Sequence, residues 1–289
     1  MKHAFTSAAL VLAALASYGQ STDSTSNTQA DTIRIGSMTI IKKGGESGSS
    51  SETKKSDNYD WKWYSGKKSP KRVQTSWLNM DFGYSNFVDK TDYTSPEAKE
   101  YARVTQPGEP DFTASDFNLR SGKSTNFNLW FFRQRVGLTK DVKLNIRYGL
   151  MLETNNYRYE NNISYVKGTR PYVFRDSIVF SKNKLAADYI TVPFMLGYSP
   201  KPGNDGGFTL GLGVSMGYLY NSRNKQISDE RGKQKTKGDF DLEVWKFQYI
   251  GEIGLGIVKL YFSYAPNSMY ERGLVMKPYN IGIRFGEWY

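Results

Sequence analysis

From Thr75 onward, apolar and polar residues alternate with a period of two, the pattern of strands with one greasy face. In Val142–Glu153, the apolar set Val142, Leu144, Ile146, Tyr148, Leu150 and Leu152 interleaves with Lys143, Asn145, Arg147, Gly149, Met151 and Glu153. Similar alternation runs through Thr75–Phe87, Asn126–Leu138, Lys184–Tyr198, Gly207–Tyr220, Val244–Leu255, Val258–Tyr264 and Tyr279–Tyr289, so the pattern predicts eight strands. The stretches joining them alternate in length. Residues 139–141, 199–206 and 256–257 are short connections, whereas 88–125, 160–183, 221–243 and 265–278 are long.

Loops sorted in this way predict an all-β fold: an eight-stranded antiparallel up-and-down β-barrel in an outer membrane, with short periplasmic turns and long outer loops. A soluble sandwich or lipocalin-like barrel has no reason to sort its loops and would bury the apolar face. Closure leaves no unpaired backbone group in hydrocarbon. The glycine-rich run Gly207–Tyr220 fits the same scheme. Its spacing, G-x-G-x-x-x-G at Gly211, Gly213 and Gly217, is one residue too long for a dinucleotide fingerprint, and no helical period follows. It reads as a strand whose apolar side meets lipid and whose bare side leaves lumen space for long side chains.

That lumen is narrow enough for side chains to fill. Asp81, Arg133, Lys143, Arg147, Glu153, Lys246, Glu252, Lys259 and Arg284 fall on the inward face and are expected to form a structural polar network, with an ion or proton path as the alternative. Tyr157, Tyr159, Tyr218, Tyr220, Trp245, Phe247 and Tyr279 lie beside the long loops, and Tyr198, Trp288 and Tyr289 at the opposite rim. They read as two interfacial aromatic girdles. The terminal strand ends on an aromatic, as does the signal read by barrel assembly machinery, which is therefore an expected partner.

The ends of the chain set its compartment. Residues 1–19 carry Lys2, an apolar run from Ala8 to Ala16 and small residues at Ser17 and Gly19, the pattern of a secretory leader cut before Gln20. Removing them takes away Lys2 and no acid, lowering the formal charge from +11 to +10. A basic exported chain suits lipid headgroups and lipopolysaccharide phosphates, and export argues against nucleic acid. Residues 20–74 are polar and low in complexity, and read as a disordered periplasmic tail preceding a barrel domain at 75–289. Within the tail, Asp31–Lys43 has β character and is read as a local extended segment, with strand addition to a partner's sheet as the alternative. Trp61–Arg72 interleaves aromatics with bases and suits an anchor on the inner leaflet, or a solvated linker.

Catalytic chemistry has little to stand on. The chain has no cysteine, and its one histidine, His3, leaves with the leader. His-, Cys- and His-ligated-metal catalysis are thereby excluded from the mature chain, and no cofactor is expected. No spacing presents Glu153 and Glu252 as an acid/base pair. The basic loop Asn221–Asp241 reads as a solvated, mobile loop, with a grip on lipopolysaccharide phosphates as the alternative. Loop 88–125 is the expected seat of surface recognition.

Lys140–Glu160 (KDVKLNIRYGLMLETNNYRYE) and Asp188–Tyr198 (DYITVPFMLGY) resemble the PorT-like outer-membrane β-barrel family of Bacteroidetes, and Asp31–Lys43 is similar to the leader segment common there. The resemblance covers most of 75–289 and implies an outer-membrane barrel; some relatives assist the type IX secretion machinery. The expected function is non-enzymatic, in envelope structure or surface interaction. The alternatives are an accessory subunit of a secretion-type envelope complex, docking through residues 20–74, and a narrow channel.

Overall fold

The computed structural model describes residues 32–35, 38–41, 71–202, 207–256 and 258–285. The leader, most of the 20–74 segment, and Trp288 and Tyr289 lie outside the described residues.

The chain divides into two units, residues 1–63 and 64–289. In the first, β1 (Thr32–Ile35) and β2 (Met38–Ile41) pair antiparallel, with Thr32 opposite Ile41 and Ile35 opposite Met38. The segment read as a lone extended stretch is thus paired with itself. Two residues, Gly36 and Ser37, join the strands, the length that favours a hairpin.

The second unit is the barrel. Its first wall element is β3 (Val73–Trp77) followed by β4 (Met80–Asp89), split where Leu78 takes a positive φ of 54°. The first long loop carries helix α1 (Pro96–Tyr101) and the two-residue strand β5 (Ala102–Arg103). Next come β6 (Thr125–Gly137) and β7 (Leu144–Arg158) in the wall, then β8 (Ile163–Val166) and β9 (Tyr172–Arg175) in the second long loop. The wall continues as β10 (Lys182–Tyr198) and β11 (Phe208–Ser228), with β12 (Gly232–Lys237) turning back on β11. It ends with β13 (Trp245–Leu255), β14 (Val258–Tyr264) and β15 (Met276–Phe285).

Each wall strand pairs antiparallel with its neighbour in sequence, and β15 pairs with β4, so the sheet closes on itself as a ring of eight. The alternation predicted from sequence is visible on β10: Ile190, Val192, Phe194, Leu196 and Tyr198 are exposed, while Tyr189, Thr191 and Met195 are buried. Nine residues rising ~3.3 Å each and tilted by ~40° span roughly 20 Å, close to the apolar band of an outer-membrane barrel. No described helix is long and apolar enough to cross a membrane.

The long loops fold. β5, β9 and β8 form a small sheet of their own. Asn221–Asp241, read from sequence as a solvated, mobile loop, prolongs β11 to Ser228 and returns as β12. A bulge opposite Asp188 and Tyr189 shifts the register, so the outward set passes from even to odd numbers beyond Tyr220.

Candidate functional site

Inward-facing positions of neighbouring strands converge in a narrow lumen, and there the polar side chains satisfy one another. Near the short-turn end, Glu252 on β13 accepts hydrogen bonds from Arg133 on β6 (2.7 Å), Arg147 on β7 and Arg284 on β15. Arg284 also grips Asp81 on β4 with two parallel bonds, Nε to Oδ1 at 2.7 Å and Nη2 to Oδ2 at 2.8 Å. Asp81 further accepts from Asn128 (3.1 Å) and the Trp130 indole (2.9 Å). The Arg284 guanidinium stacks over the Trp130 ring at 4.6 Å. Such a set must be complete, since an unpaired charge at this burial would cost several kcal/mol.

Small residues leave room for it. A Cβ at Gly197 would lie 2.5 Å from Arg147 Nε, and one at Gly211 would lie 2.8 Å from Glu252 Cγ.

A second layer lies toward the long loops. Glu153 accepts from Lys246 Nζ at 2.6 Å and from Thr191 at 3.0 Å. An amide and hydroxyl web surrounds it: Asn155 donates to Glu153, Asn126 and Ser85 donate to Asn155, and Tyr261 donates to Asn126 at 2.5 Å. Lys246 Nζ sits 3.9 Å from the Tyr189 ring centroid, which ties this layer to the aromatic core above. Between the layers lies a cavity of about 30 Å³ lined by Asn128, Trp130, Glu153, Gln248, Tyr261 and Arg284 among others, enough for one or two waters.

Above the lumen, the folded loops and upper barrel wall share one hydrophobic core. Tyr101, Phe112, Phe117, Ile163, Tyr165, Val173, Phe240, Leu242, Tyr270 and Leu274 come from the loops, and Tyr157, Leu185, Ala187, Tyr189 and Met276 from the wall. Three phenols form a buried chain, Tyr159 to Tyr165 at 2.6 Å and Tyr165 to Tyr270 at 2.8 Å. Burial pushes the Tyr165 and Tyr270 hydroxyls well above the ordinary phenol range and Tyr159 to about 12. Arg175 on β9 clamps the first loop: it holds both Asp116 oxygens (2.7 and 2.9 Å), donates to the carbonyls of Pro110 and Asp111, and stacks on Phe112 at 4.2 Å.

Of the residues expected in the lumen, Asp81, Arg133, Arg147, Glu153, Lys246, Glu252, Lys259 and Arg284 are buried there. Lys143 is not among them. It lies exposed before β7 begins and pairs with Asp141 at 3.0 Å, because Val142, at φ 57°, turns the chain ahead of the strand. Glu153 and Glu252 take different cations in separate layers.

Among the expected girdle aromatics, Tyr198, Tyr218, Tyr220, Trp245 and Phe247 are exposed on the outer wall, and Tyr279 is half-buried. Tyr157 and Tyr159 do not face lipid: each is only 2% exposed, inside the outer core. The odd positions of β7 point inward, and the loop core covers them. Among the described residues, no three His, Cys, Asp or Glu side chains gather as a metal site.

A closed ring of eight tilted strands, apolar outside and polar within, is a transmembrane β-barrel. The model of the outer membrane protein β-barrel domain family matches residues 102–274, more than half of the chain, and the chain belongs to that family. Its membrane is the outer membrane. In this chain β3 and β4 precede the matched region and β15 follows it. A search of curated proteins gave no match.

Proposed function

We propose that the protein is a non-enzymatic, closed outer-membrane barrel that acts in envelope structure or surface interaction through its folded outer cap. The observation that carries this reading is that side chains occupy the bore, an ionic network below and an aromatic core above, with room between the polar layers for no more than one or two waters. The lumen carboxylates are held by guanidinium, ammonium and amide donors, which leaves them poorly placed to act as general bases. Lipid and lipopolysaccharide surround the barrel, and the assembly machinery reads its last strand. Residues 1–19 are a leader removed on export, so sequencing the mature N-terminus should start at Gln20.

Planar-bilayer recording tests the closed bore. The purified protein should give no steady single-channel current. A stable conductance would establish the narrow channel instead.

A second reading, an accessory subunit of an envelope complex of the type IX secretion kind, as the PorT-like resemblance suggests, is favoured by the β1–β2 hairpin. A two-stranded hairpin alone is marginal in water, and a partner's sheet would complete it. Deleting residues 20–70, which stops short of β3, would then abolish copurification with that complex while leaving the barrel folded.

A further inference from the structure

Above the lipid-facing band, the outer surface of the sheet changes from apolar to basic. The register places Arg158 opposite Lys184, Lys184 opposite Lys225, and Lys225 opposite Lys235, a row of four cations across β7, β10, β11 and β12. One row further out, Lys182 and Lys233 flank Ile227 on the same face. Like charges directly opposite one another on a sheet are destabilising, and here three such pairs stand in succession. Among the described residues no carboxylate forms a salt bridge with Lys182, Lys184, Lys225, Lys233 or Lys235. Asp188, the carboxylate whose charge acts on Lys184, is itself bonded to Arg223 and Asn221. Asp229 and Glu230 lie at the tip of the hairpin, and Asp176 pairs with Arg231.

The row is also held in place. Lys184 donates to Asn156 at 2.5 Å, and Arg158 Nη2 donates to the Ser181 carbonyl at 2.8 Å while its buried Nε has no partner. Burial and the neighbouring charges of Lys182, Arg223 and Lys225 lower the Lys184 ammonium to about 8, against the opposing pull of Asp188. The repulsion is therefore built into a rigid sheet rather than spread over a flexible loop.

Height decides what anion could relieve it. Lys184 lies six residues beyond Ile190, the last exposed apolar residue of β10, so about 20 Å along the strand and roughly 15 Å above the apolar band. A phospholipid headgroup layer is only about 5–8 Å deep. Phosphates carried on the saccharide of an outer-leaflet glycolipid reach that height.

We propose that Arg158, Lys184, Lys225 and Lys235 form a binding face for the sugar-borne phosphates of lipopolysaccharide. This deepens the surface-interaction reading above and rests on its outer-membrane orientation; the bilayer recording tests the closed bore separately.

The test titrates the full-length protein, in zwitterionic detergent, with four probes: lipopolysaccharide, the same material stripped of phosphate, phosphatidylglycerol and inorganic phosphate. Lipopolysaccharide should bind with a marked salt dependence, and the three other probes should bind at least about tenfold more weakly. The triple variant Lys184→Gln, Lys225→Gln, Lys235→Gln should lose about tenfold or more in lipopolysaccharide affinity, and the corresponding triple arginine variant should retain it within a few-fold. Unaltered heat-modifiability confirms that each variant is folded; if the triple glutamine chain fails to fold, Lys235→Gln at the exposed edge strand gives the same comparison on a smaller scale. Equal binding of the stripped material overturns the proposal. So does phosphatidylglycerol binding as tightly, which would mean a face for any anionic headgroup. Displacement by millimolar inorganic phosphate, which would mean a free-phosphate site, and undiminished binding by the glutamine variants each overturn it as well.

Discussion

Arg284 and Asp81 face each other directly across the seam where the last wall strand meets the first, joined by two buried hydrogen bonds of 2.7 and 2.8 Å. The pair therefore marks the closure of the barrel. Arg284 also reaches Glu252, so one guanidinium links the seam to β13, two strands further round the wall. Arg284→Met leaves Asp81 buried with only neutral donors and should cost about 3–5 kcal/mol. Arg284→Lys keeps the charge but loses the two-pronged geometry, and should fall between the two. The temperature at which the unboiled gel band converts to the unfolded one reads the order.

The outer core should be separable from the barrel. Phe240 is fully buried among loop residues, and its carbonyl accepts from the Tyr101 hydroxyl at 2.6 Å. Phe240→Ala should cost about 3–5 kcal/mol of packing, spent in the cap. Surface protease should then cut within 221–243 much faster than in the parent, while the folded barrel band persists.

Alkali should loosen the same core. Tyr101, Tyr165 and Tyr270 ionise well above the ordinary phenol range, and Tyr159 at about 12, in each case chiefly because burial disfavours the phenolate. For an acid whose folded pKa is raised, the neutral form is the one the fold favours. Its stabilisation is complete below about pH 10 and is lost as the pH climbs toward 12. Tyrosinate absorbance should show a class that appears only as protease resistance of the cap is lost.

Lys184 predicts the opposite slope in a lower window. Its ammonium is lowered to about 8 first by burial and then by Lys182, Arg223 and Lys225, with Asp188 opposing. Arg158 is its cross-strand neighbour and Asn156 its acceptor. Between pH 8 and 10.5 the unfolded chain holds a proton that the folded chain has released, so stability should rise with pH across that interval. The gel conversion temperature should increase from pH 7.5 to 9.5, and the increase should shrink in Lys184→Gln.

The wall strands were legible because lipid and lumen impose opposite chemistry on alternate residues. Exposure alternates without a break from Ile190 to Tyr198 and from Trp245 to Tyr249. The lumen set followed from the same parity, and Lys143 departed from it only because the turn at Val142 comes before the strand. The cap was hidden because its apolar residues have no period: Phe112, Phe117, Tyr165 and Phe240 come from three loops and meet only in the fold. Their signal was the presence of bulky aromatics in segments that otherwise read as surface. The β11–β12 hairpin was hidden for a different reason, since Ser222, Asn224 and Gln226 inside and Arg223 and Lys225 outside are polar on both faces.

The most direct measurement is gel mobility of the outer-membrane fraction with and without boiling, combined with protease treatment of intact cells. A closed barrel with its cap outside should show a boiling-dependent mobility shift, with any cleavage confined to 88–125, 160–183 and 221–243. A protein in the soluble periplasmic fraction, with no shift on boiling, would contradict the barrel and every lipid-facing position assigned to it.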